Sequence, residues 1–331
     1  MKKLILVMIS FGITTIAQPW NYNFGSSTGV FNTANTASES FLPNPESGGG
    51  SESRVRIGSG GGSFNLENQS ISFGTNSYLR SVAPTSTSYN KFQIYNFTAG
   101  KKFTIQFHLR LGASDGSSSG AEDGNWHFFI GDGNTFSNDA AGTTSETFTA
   151  LRWSFGMNGT ITTEYRNSSG NWVVSGLSGT PFAQGFNYKV EMYCNNSTSS
   201  VDYTYGSSQS VASNKFDLWV NGSLVGNDLS KSGLIDDSNI DSWMFYGSNS
   251  TFNVANIFID EIIYTNDISS TPLPVELTSF TANVSKNKVD LNWTTATEIN
   301  NYGFEILRAD LKNNWQKIGF VNGHGNCNSE K

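Results

Sequence analysis

Apolar and polar residues alternate in several short segments of this 331-residue chain. The clearest is the segment 103–111, where apolar residues at the odd positions are separated by polar ones. Successive side chains of a β-strand point to opposite faces, so this period of two predicts a strand with one face in a core. Gln106, His108 and Arg110 then lie on the opposite face, which meets water or a ligand.

The segment 215–225 predicts an antiparallel hairpin. Residues 215–220 alternate in the same way, and Asn221-Gly222 then leads into a second apolar stretch. Asn-Gly favours a type I′ turn, because both central residues of that turn need a positive φ. The hairpin therefore indicates that neighbouring strands run antiparallel in this part of the chain.

The fold class follows from how often such segments recur. Charged residues make up only 14% of the chain, against about a quarter in typical globular proteins, and 34 glycines favour many turns. No segment of ordinary length shows the period of a helix. Further strands are predicted at 71–79, 151–157, 160–165, 172–174, 186–194, 240–246 and 254–264. We therefore predict an all-β protein built as a two-sheet antiparallel sandwich.

The net charge indicates which partners are excluded, and the N-terminal residues indicate where the protein is located. The net charge of −7 and the isoelectric point near 5.0 leave no basic field to attract nucleic acid or anionic lipid. Lys2 and Lys3 precede the short apolar run 4–16, and small residues stand where a signal peptidase would cut after Ala17. Residues 1–17 are thus predicted to be a signal peptide of a secreted protein without a membrane span.

Three runs of residues resemble a known family. They are FDLWVNGSLV at 216–225, DSWMFYG at 241–247 and FIDEI at 258–262. These runs are similar to the last strands of a laminin-G-like or concanavalin A-like jelly roll. The resemblance implies that residues 18–265 form a lectin-like sandwich, and such domains are usually binding or adhesion modules.

A second module is predicted after the polar, proline-containing linker 266–274. Its strand patterns lie at 275–280, 289–293, 303–307 and 315–321. The runs LPVELTSFTA, WTTATEINN, GFEI and GFVNGHG, which begin at positions 273, 293, 303 and 319, resemble the fibronectin type III-like module of bacterial surface proteins exported by type IX secretion. The resemblance implies that export route.

The second module is expected to be incomplete. A fibronectin type III-like sandwich needs about seven strands, and residues 275–331 supply about four. Trp293 and Phe304 are placed to fill a small core, which half a sandwich would leave open. We therefore expect a truncated chain whose remaining strands and sorting tail are missing.

Catalysis is not predicted. A glycosidase on this fold would use paired carboxylates, commonly in a Glu-x-Asp-x-x-Glu strand, and the chain lacks that motif. Asp260 and Glu261 are neighbours in sequence and are expected on opposite faces of a strand. The three histidines have no spacing typical of a zinc site, and Cys194 and Cys327 are expected to be unpaired thiols.

Calcium is the cofactor that the sequence suggests. The loop 131–139 follows an apolar strand and concentrates side-chain oxygens, the ligands that calcium prefers. These oxygens belong to Asp132, Asn134, Asn138 and Asp139. The same residue types also favour ordinary polar turns, so the loop is either a calcium site or a turn.

The candidate ligand-binding residues are polar or aromatic residues expected on outer sheet faces. They are Gln106, His108, Arg110, Arg152, Glu164, Trp172 and Trp219. The two tryptophans could stack on a sugar ring, because amphipathic aromatic rings suit such recognition. The alternative for each residue is the solvated outer face that any sandwich has.

The sequence predicts a secreted, non-catalytic cell-surface binding or adhesion protein whose partner is a polysaccharide, another glycan or a surface protein. The alternative is the N-terminal accessory region of a larger secreted hydrolase whose catalytic domain is missing from this chain. A sorting tail after the second module would favour the first hypothesis. A hydrolase domain there would favour the second.

Overall fold

The computed structural model describes residues 19–68, 71, 73–74, 77–85, 88–118, 122–205, 207–268, 276–285, 288–309 and 315–327. The predicted signal peptide, residues 1–17, lies outside them. The chain divides into two compact units. The larger unit comprises Ala17–Val201 and Ser210–Ile268, and the smaller comprises Met1–Ile16, Asp202–Gln209 and Ser269–Lys331.

Strands account for nearly all regular structure in the described residues. In chain order they are β1 (Trp20–Tyr22), β2 (Gly29–Phe31), β3 (Thr36–Ser38), β4 (Glu52–Ile57), β5 (Ser63–Asn68), β6 (Ser77–Val82), β7 (Tyr89–Tyr95), β8 (Lys102–Gly112), β9 (Asn125–Gly131), β10 (Thr147–Phe155), β11 (Ile161–Arg166), β12 (Trp172–Val173), β13 (Asn187–Asn195), β14 (Val201–Tyr205), β15 (Ser207–Val211), β16 (Lys215–Val220), β17 (Ser223–Ser230), β18 (Ser242–Ser248), β19 (Asn256–Thr265), β20 (Glu276–Ser285), β21 (Lys288–Ala309) and β22 (Trp315–Cys327). Three short 3-10 helices lie at Asn134–Phe136, Met157–Gly159 and Thr251–Asn253.

Two large antiparallel sheets make up the larger unit. The first sheet has the strand order β17-β16-β13-β8-β19-β6-β5-β2, with β1 also paired to β19. The second has the order β12-β11-β10-β9-β18-β7-β4-β3. Strands far apart in sequence are neighbours, as where β8 lies between β13 and β19. The prediction of an all-β antiparallel sandwich of the jelly-roll type is confirmed.

The core lies between the two sheets. Phe107 of the first sheet and Phe128 of the second are both fully buried, and their ring centroids are 4.9 Å apart. Val190, the cross-strand partner of Phe107, and Trp153 of the second sheet are also fully buried. Removing this apolar surface from water is the main favourable contribution to folding.

The predicted hairpin at 215–225 is confirmed. β16 and β17 pair antiparallel, with Val220 opposite Ser223. The two residues between them, Asn221 and Gly222, have φ angles of 48° and 77°. Both values are positive, as a type I′ turn requires.

The smaller unit contains the hairpin β14-β15 and a three-stranded antiparallel sheet, β20-β21-β22. The segments 289–293 and 303–307, which the sequence predicts as two strands, belong to β21 alone, which pairs with β20 along its first half and with β22 along its second. Trp293 and Phe304 of β21 have ring centroids 5.4 Å apart. A straight strand would separate them by roughly 36 Å, so β21 is sharply bent. The fibronectin type III-like character of this unit stays a prediction.

The described part of the predicted linker packs on the larger unit. Asn266 Nδ2 donates to the carbonyl of Thr98 at 2.8 Å, and Thr104 Oγ1 donates to the carbonyl of Asp267 at 2.9 Å. Ile268 is buried, so the sandwich continues to this residue.

In the described ranges, no helix has the length and apolar character needed to cross a bilayer. Cys194 is a free, buried thiol whose pKa is raised by burial.

Candidate functional site

The seven predicted ligand-binding residues lie on the outer faces of two different sheets. The first sheet carries Gln106, His108, Arg110 and Trp219. The second sheet carries Arg152, Glu164 and Trp172. Because the core separates the two outer faces, the seven residues cannot form a single site.

On the first sheet, the predicted residues are buried or held by neighbours. Arg110 donates from Nε to the carbonyl of Gly116 at 2.8 Å and from Nη1 to Asn187 Oδ1 at 2.9 Å. Gln106 and Trp219 are only 5% and 6% exposed. Burial lowers the pKa of His108, so its ring is neutral at pH 7. We assign no ligand site to this face.

The expectation that Asp260 and Glu261 lie on opposite strand faces is wrong. A β-bulge interrupts the pairing of β19 with β8 between Asp260 and Ile263, and Glu261 has a φ of 53°. Ile262 points into the core. Asp260 is the cross-strand partner of His108, and the Glu261 charge also acts on His108, so both carboxylates lie on the outer face. The extra residue of a bulge cancels the alternation.

On the second sheet, the structure brings Arg152, Glu164 and Trp172 together. Arg152 and Glu164 are cross-strand partners in β10 and β11. Arg152 donates from Nε and Nη2 to the same oxygen, Glu164 Oε2, at 2.8 and 2.5 Å. Its guanidinium carbon lies 4.6 Å from the centroid of the Trp172 ring, where cation and ring attract each other.

Three rings that the sequence analysis did not single out continue from Trp172. The centroid distances are 5.2 Å from Trp172 to His127, 5.4 Å from His127 to Tyr246, and 4.9 Å from Tyr246 to Tyr89. The two tyrosine rings are stacked, with an interplanar angle of 20°. Trp172, His127, Tyr246 and Tyr89 are called the aromatic row below. All but His127 are partly exposed.

The aromatic row lies across the strands. Cross-strand pairing in the second sheet sets six residues at one level: Arg56, Lys91, Tyr246, His127, Arg152 and Glu164. Neighbouring strands are about 4.8 Å apart, so this line spans roughly 24 Å. Arg56 lies over Tyr89 at 4.8 Å, so a guanidinium group stands at each end of the row. The result is an elongated surface of rings and cations.

His127 is the neutral centre of the row. Its side chain is 7% exposed, and burial lowers its pKa to about 3. Nδ1 lies 3.0 Å from the carbonyl oxygen of Tyr246. A carbonyl only accepts, so Nδ1 carries the proton and Nε2 is an acceptor. The row therefore has positive charge at its ends and none on its central ring.

The predicted calcium loop, residues 131–139, folds against the same sheet face. Its 3-10 helix brings Phe136 into a second apolar cluster on the outside of the sheet, with Tyr95, Phe129, Ala150 and Met244. Trp172 and Tyr246 pack against this cluster, so the loop borders the aromatic row.

Lys91 holds this loop through a cation–carbonyl contact. The fully buried side chain donates from Nζ at 2.8, 3.1 and 2.5 Å to the carbonyl oxygens of Thr135, Asn138 and Ala140. Burial, reinforced by repulsion from Arg54 and Arg56, lowers the pKa of Lys91 to about 7. An ammonium group thus stands where the loop directs its carbonyl oxygens.

Two of the four predicted calcium ligands, Asn138 and Asp139, have other partners. Asp139 Oδ1 accepts from Arg54 Nη2 at 2.5 Å, and Asp139 Oδ2 lies 3.4 Å from Arg56 Nε. Asn138 Oδ1 accepts from the backbone N–H of Ala140 at 2.8 Å. In the described part of the chain, no three His, Cys, Asp or Glu side chains are grouped as metal ligands. These contacts with protein cations favour the polar turn over the calcium site as the role of the loop.

The aromatic row was hard to find in the sequence because its rings come from four strands. In β9, His127 stands in an almost continuous apolar run, and β18 likewise has apolar residues on both faces. Alternation therefore does not show which side chains face outward. One signal in the sequence could have shown that His127 faces outward. It is a polar ring that lies between two residues of the core, Trp126 and Phe128.

The chain resembles several solved structures of carbohydrate-related proteins at low sequence identity. No family model and no curated protein matches the chain. One similar solved structure is a mutant alginate lyase Aly36B in complex with an alginate tetrasaccharide, at 15% identity and a TM-score of 0.41, over 77% of this chain and 99% of that one. Another is the carbohydrate recognition domain of Emp47p, at 11% identity and a TM-score of 0.38, over 59% and 85%. A third is lectin II from Ulex europaeus, at 12% identity and a TM-score of 0.37, over 71% and 97%. With TM-scores below 0.5, none of these likenesses identifies what this protein binds.

Proposed function

We propose that this protein is a secreted, non-catalytic carbohydrate-binding protein and that the aromatic row is its glycan-binding surface. The supporting observation is the unbroken series of ring and cation contacts that runs from Arg56 through four rings to Arg152. A sugar ring has an apolar C–H face and a polar edge. Partly exposed aromatic rings suit the first, and the donors beside them suit the second.

The chemistry of the row favours binding over glycoside hydrolysis. Hydrolysis uses two carboxyl groups about 5–9 Å apart. Of the six residues on the cross-strand line, Glu164 alone is a carboxylate, and Arg152 binds it with two donors. With its Oε2 atom held by both donors, Glu164 suits an orienting role for Arg152 rather than proton transfer to a ligand.

The location is proposed from the sequence. The basic residues and apolar run at 1–17 support secretion. The resemblance of the runs between 273 and 325 to surface proteins of type IX secretion supports export by that route and attachment at the cell surface.

The test is a glycan-array screen of the whole chain and of Trp172→Ala. Loss of the terminal ring of the row should weaken glycan binding about tenfold, because a stacking contact contributes up to about 1.5 kcal/mol. Phe252→Ala is the matched control, since Phe252 is 86% exposed and is not one of the rings of the row, so its loss should change nothing. A calcium chelator should also leave binding unchanged, because Lys91 already occupies the loop carbonyls.

Two results would contradict the proposal. One is an array on which no glycan binds, or on which Trp172→Ala binds like the wild type. The other is release of new reducing ends from a bound polysaccharide, which would show that the protein is a hydrolase.

A further inference from the structure

We infer that the glycan bound by the aromatic row is acidic and carries carboxylate groups. This inference depends on the proposed function, because it names the ligand class of the same surface. It begins from the sign of the charges against the rings. Three cations lie over rings of the row: Arg56 and Lys91 over Tyr89, and Arg152 over Trp172.

The two guanidinium groups keep donors available. Arg152 uses Nε and Nη2 for Glu164, and within the described residues its Nη1 has no acceptor. Its side chain is 25% exposed, so a ligand can reach it. Arg56 donates from Nη1 to the carbonyl of Tyr89 at 2.8 Å, and its buried Nε lies 3.4 Å from Asp139 Oδ2, so its Nη2 is the donor left without an acceptor among the described residues.

These donors match a carboxylate. A carboxylate has two coplanar acceptor oxygens, and the planar fork of a guanidinium binds them in charge-assisted hydrogen bonds. Two carboxylates near the row, Glu164 and Asp139, contact these arginines. A sugar ring stacked on Trp172 would therefore meet Arg152 at its edge. A neutral sugar would offer no charged acceptor to the remaining Nη1 donor of Arg152, whose other donors bind Glu164.

The cations at the aromatic row contrast with the acidic character of the whole molecule. The chain carries a net charge of −7. A protein with an excess of acidic residues repels a polyanion at long range. An acidic glycan would therefore be bound through local contacts with the cations beside the rings. The aromatic row combines these cations with an elongated arrangement of four rings, each about 5 Å from the next, which suits a polymer more than a single sugar.

The test compares polymers that differ in charge alone. Polygalacturonate, polymannuronate and hyaluronan are titrated against the whole chain by calorimetry, each beside its methyl ester, in which the carboxylate is neutral. We expect at least one of the three to bind about tenfold more tightly than its ester, since a charge-assisted hydrogen bond contributes about 1.5–3 kcal/mol.

Three variants locate the effect. Arg152→Gln should bring the ratio of acid to ester affinity close to one. Glu164→Gln should increase the affinity for the acid, because it removes a competing anion and releases two donors of Arg152. Arg110→Gln, on the first sheet, should change neither affinity.

The possible failures are distinguishable. Equal binding of acid and ester, with both weakened by Trp172→Ala, would overturn the acidic ligand and leave the proposed function in place. Binding of neutral glycans alone would do the same. Absence of binding to any glycan would overturn both. Tighter binding of dextran sulfate or poly(U) than of every carboxylated polymer, or acid binding that survives Arg152→Gln, would overturn the inference.

Discussion

Lys91 is a buried cation that takes part in organising the face beside the aromatic row. It is fully buried, its ammonium meets three carbonyl oxygens of one loop, and Tyr89 lies 5.7 Å away. Burying a charge is costly unless it is hydrogen-bonded, and these carbonyls offset that cost. The contact orders the loop in the way that a bound cation would.

The lowered pKa of Lys91 predicts a pH-dependent stability. The pKa falls from its usual 10.5 to about 7, because burial disfavours the charge. Between these values the unfolded chain holds a proton that the folded protein has released, so the free energy of unfolding rises with pH. The full rise is about 5 kcal/mol. When the free energy of unfolding is measured by urea denaturation from pH 7 to pH 9, Lys91→Met should lack this contribution to the rise.

Lys101→Met provides the control for that experiment. Lys101 is 46% exposed and pairs with Asp237, so its replacement removes a lysine without changing a buried charge. The difference in stability between the wild type and Lys91→Met should grow with pH, whereas the difference for Lys101→Met should grow much less. A Lys91→Met difference that stays constant from pH 7 to pH 9 would refute the prediction.

At the scale of elements, the loop after β9 shows how an irregular segment becomes part of a sheet surface. Gln93 donates from Nε2 to the carbonyl of Phe136 at 2.7 Å, and Thr135 donates its backbone N–H to Glu146 Oε2 at 3.0 Å. Polar contacts of this kind satisfy the loop backbone, and the ring of Phe136 adds an apolar anchor. The loop is therefore a fixed border of the aromatic row.

Phe136→Ala should loosen this loop. The ring is fully buried, and truncating a buried Phe costs about 3–5 kcal/mol. We expect a loss of about 3 kcal/mol in urea unfolding and faster amide hydrogen exchange in residues 132–140. Phe186→Ala is the control, because Phe186 is 63% exposed and its loss should cost less than about 0.5 kcal/mol. Equal effects of the two substitutions would show that the loop is not anchored by Phe136.

At the scale of the whole molecule, the apolar core belongs to the larger unit. Its main cluster extends from Trp20 to Tyr264 and draws on both sheets. β19 is central to it, since this strand pairs with β1, β6 and β8. The stability of the sandwich should therefore depend on β19 and not on the strands of the smaller unit.

A fragment of residues 18–268 should fold by itself. It contains the whole main cluster and the buried Ile268. We expect a cooperative thermal transition and the near-ultraviolet circular dichroism of packed aromatic rings. A fragment of residues 18–255 lacks β19 and should show neither. If the longer fragment behaves like the shorter one, the larger unit is not an independent domain.

Local pattern was enough to predict an antiparallel β-sandwich, although not the order of its strands. The alternation in 103–111 and the Asn221-Gly222 turn gave the strand faces and the hairpin, because the pleat of a strand and the geometry of a turn depend on neighbouring residues only. The bulge at Glu261 and the single strand β21 were not predicted, because each depends on pairing with other strands and not on neighbouring residues alone.

The candidate site was decided by tertiary structure. Arg152, Glu164 and Trp172 were predicted from sequence, but Tyr89, His127 and Tyr246 joined them only through the order and register of strands β7, β18 and β9. Likewise, the side-chain oxygens of the loop at 131–139 suggested calcium, but only the structure shows that Lys91, more than 40 residues earlier, binds backbone carbonyls of the same segment. The sequence determines which face a residue takes on its own strand. Which strands lie side by side depends on how the two sheets bury their apolar surface together, and that is a property of the whole chain.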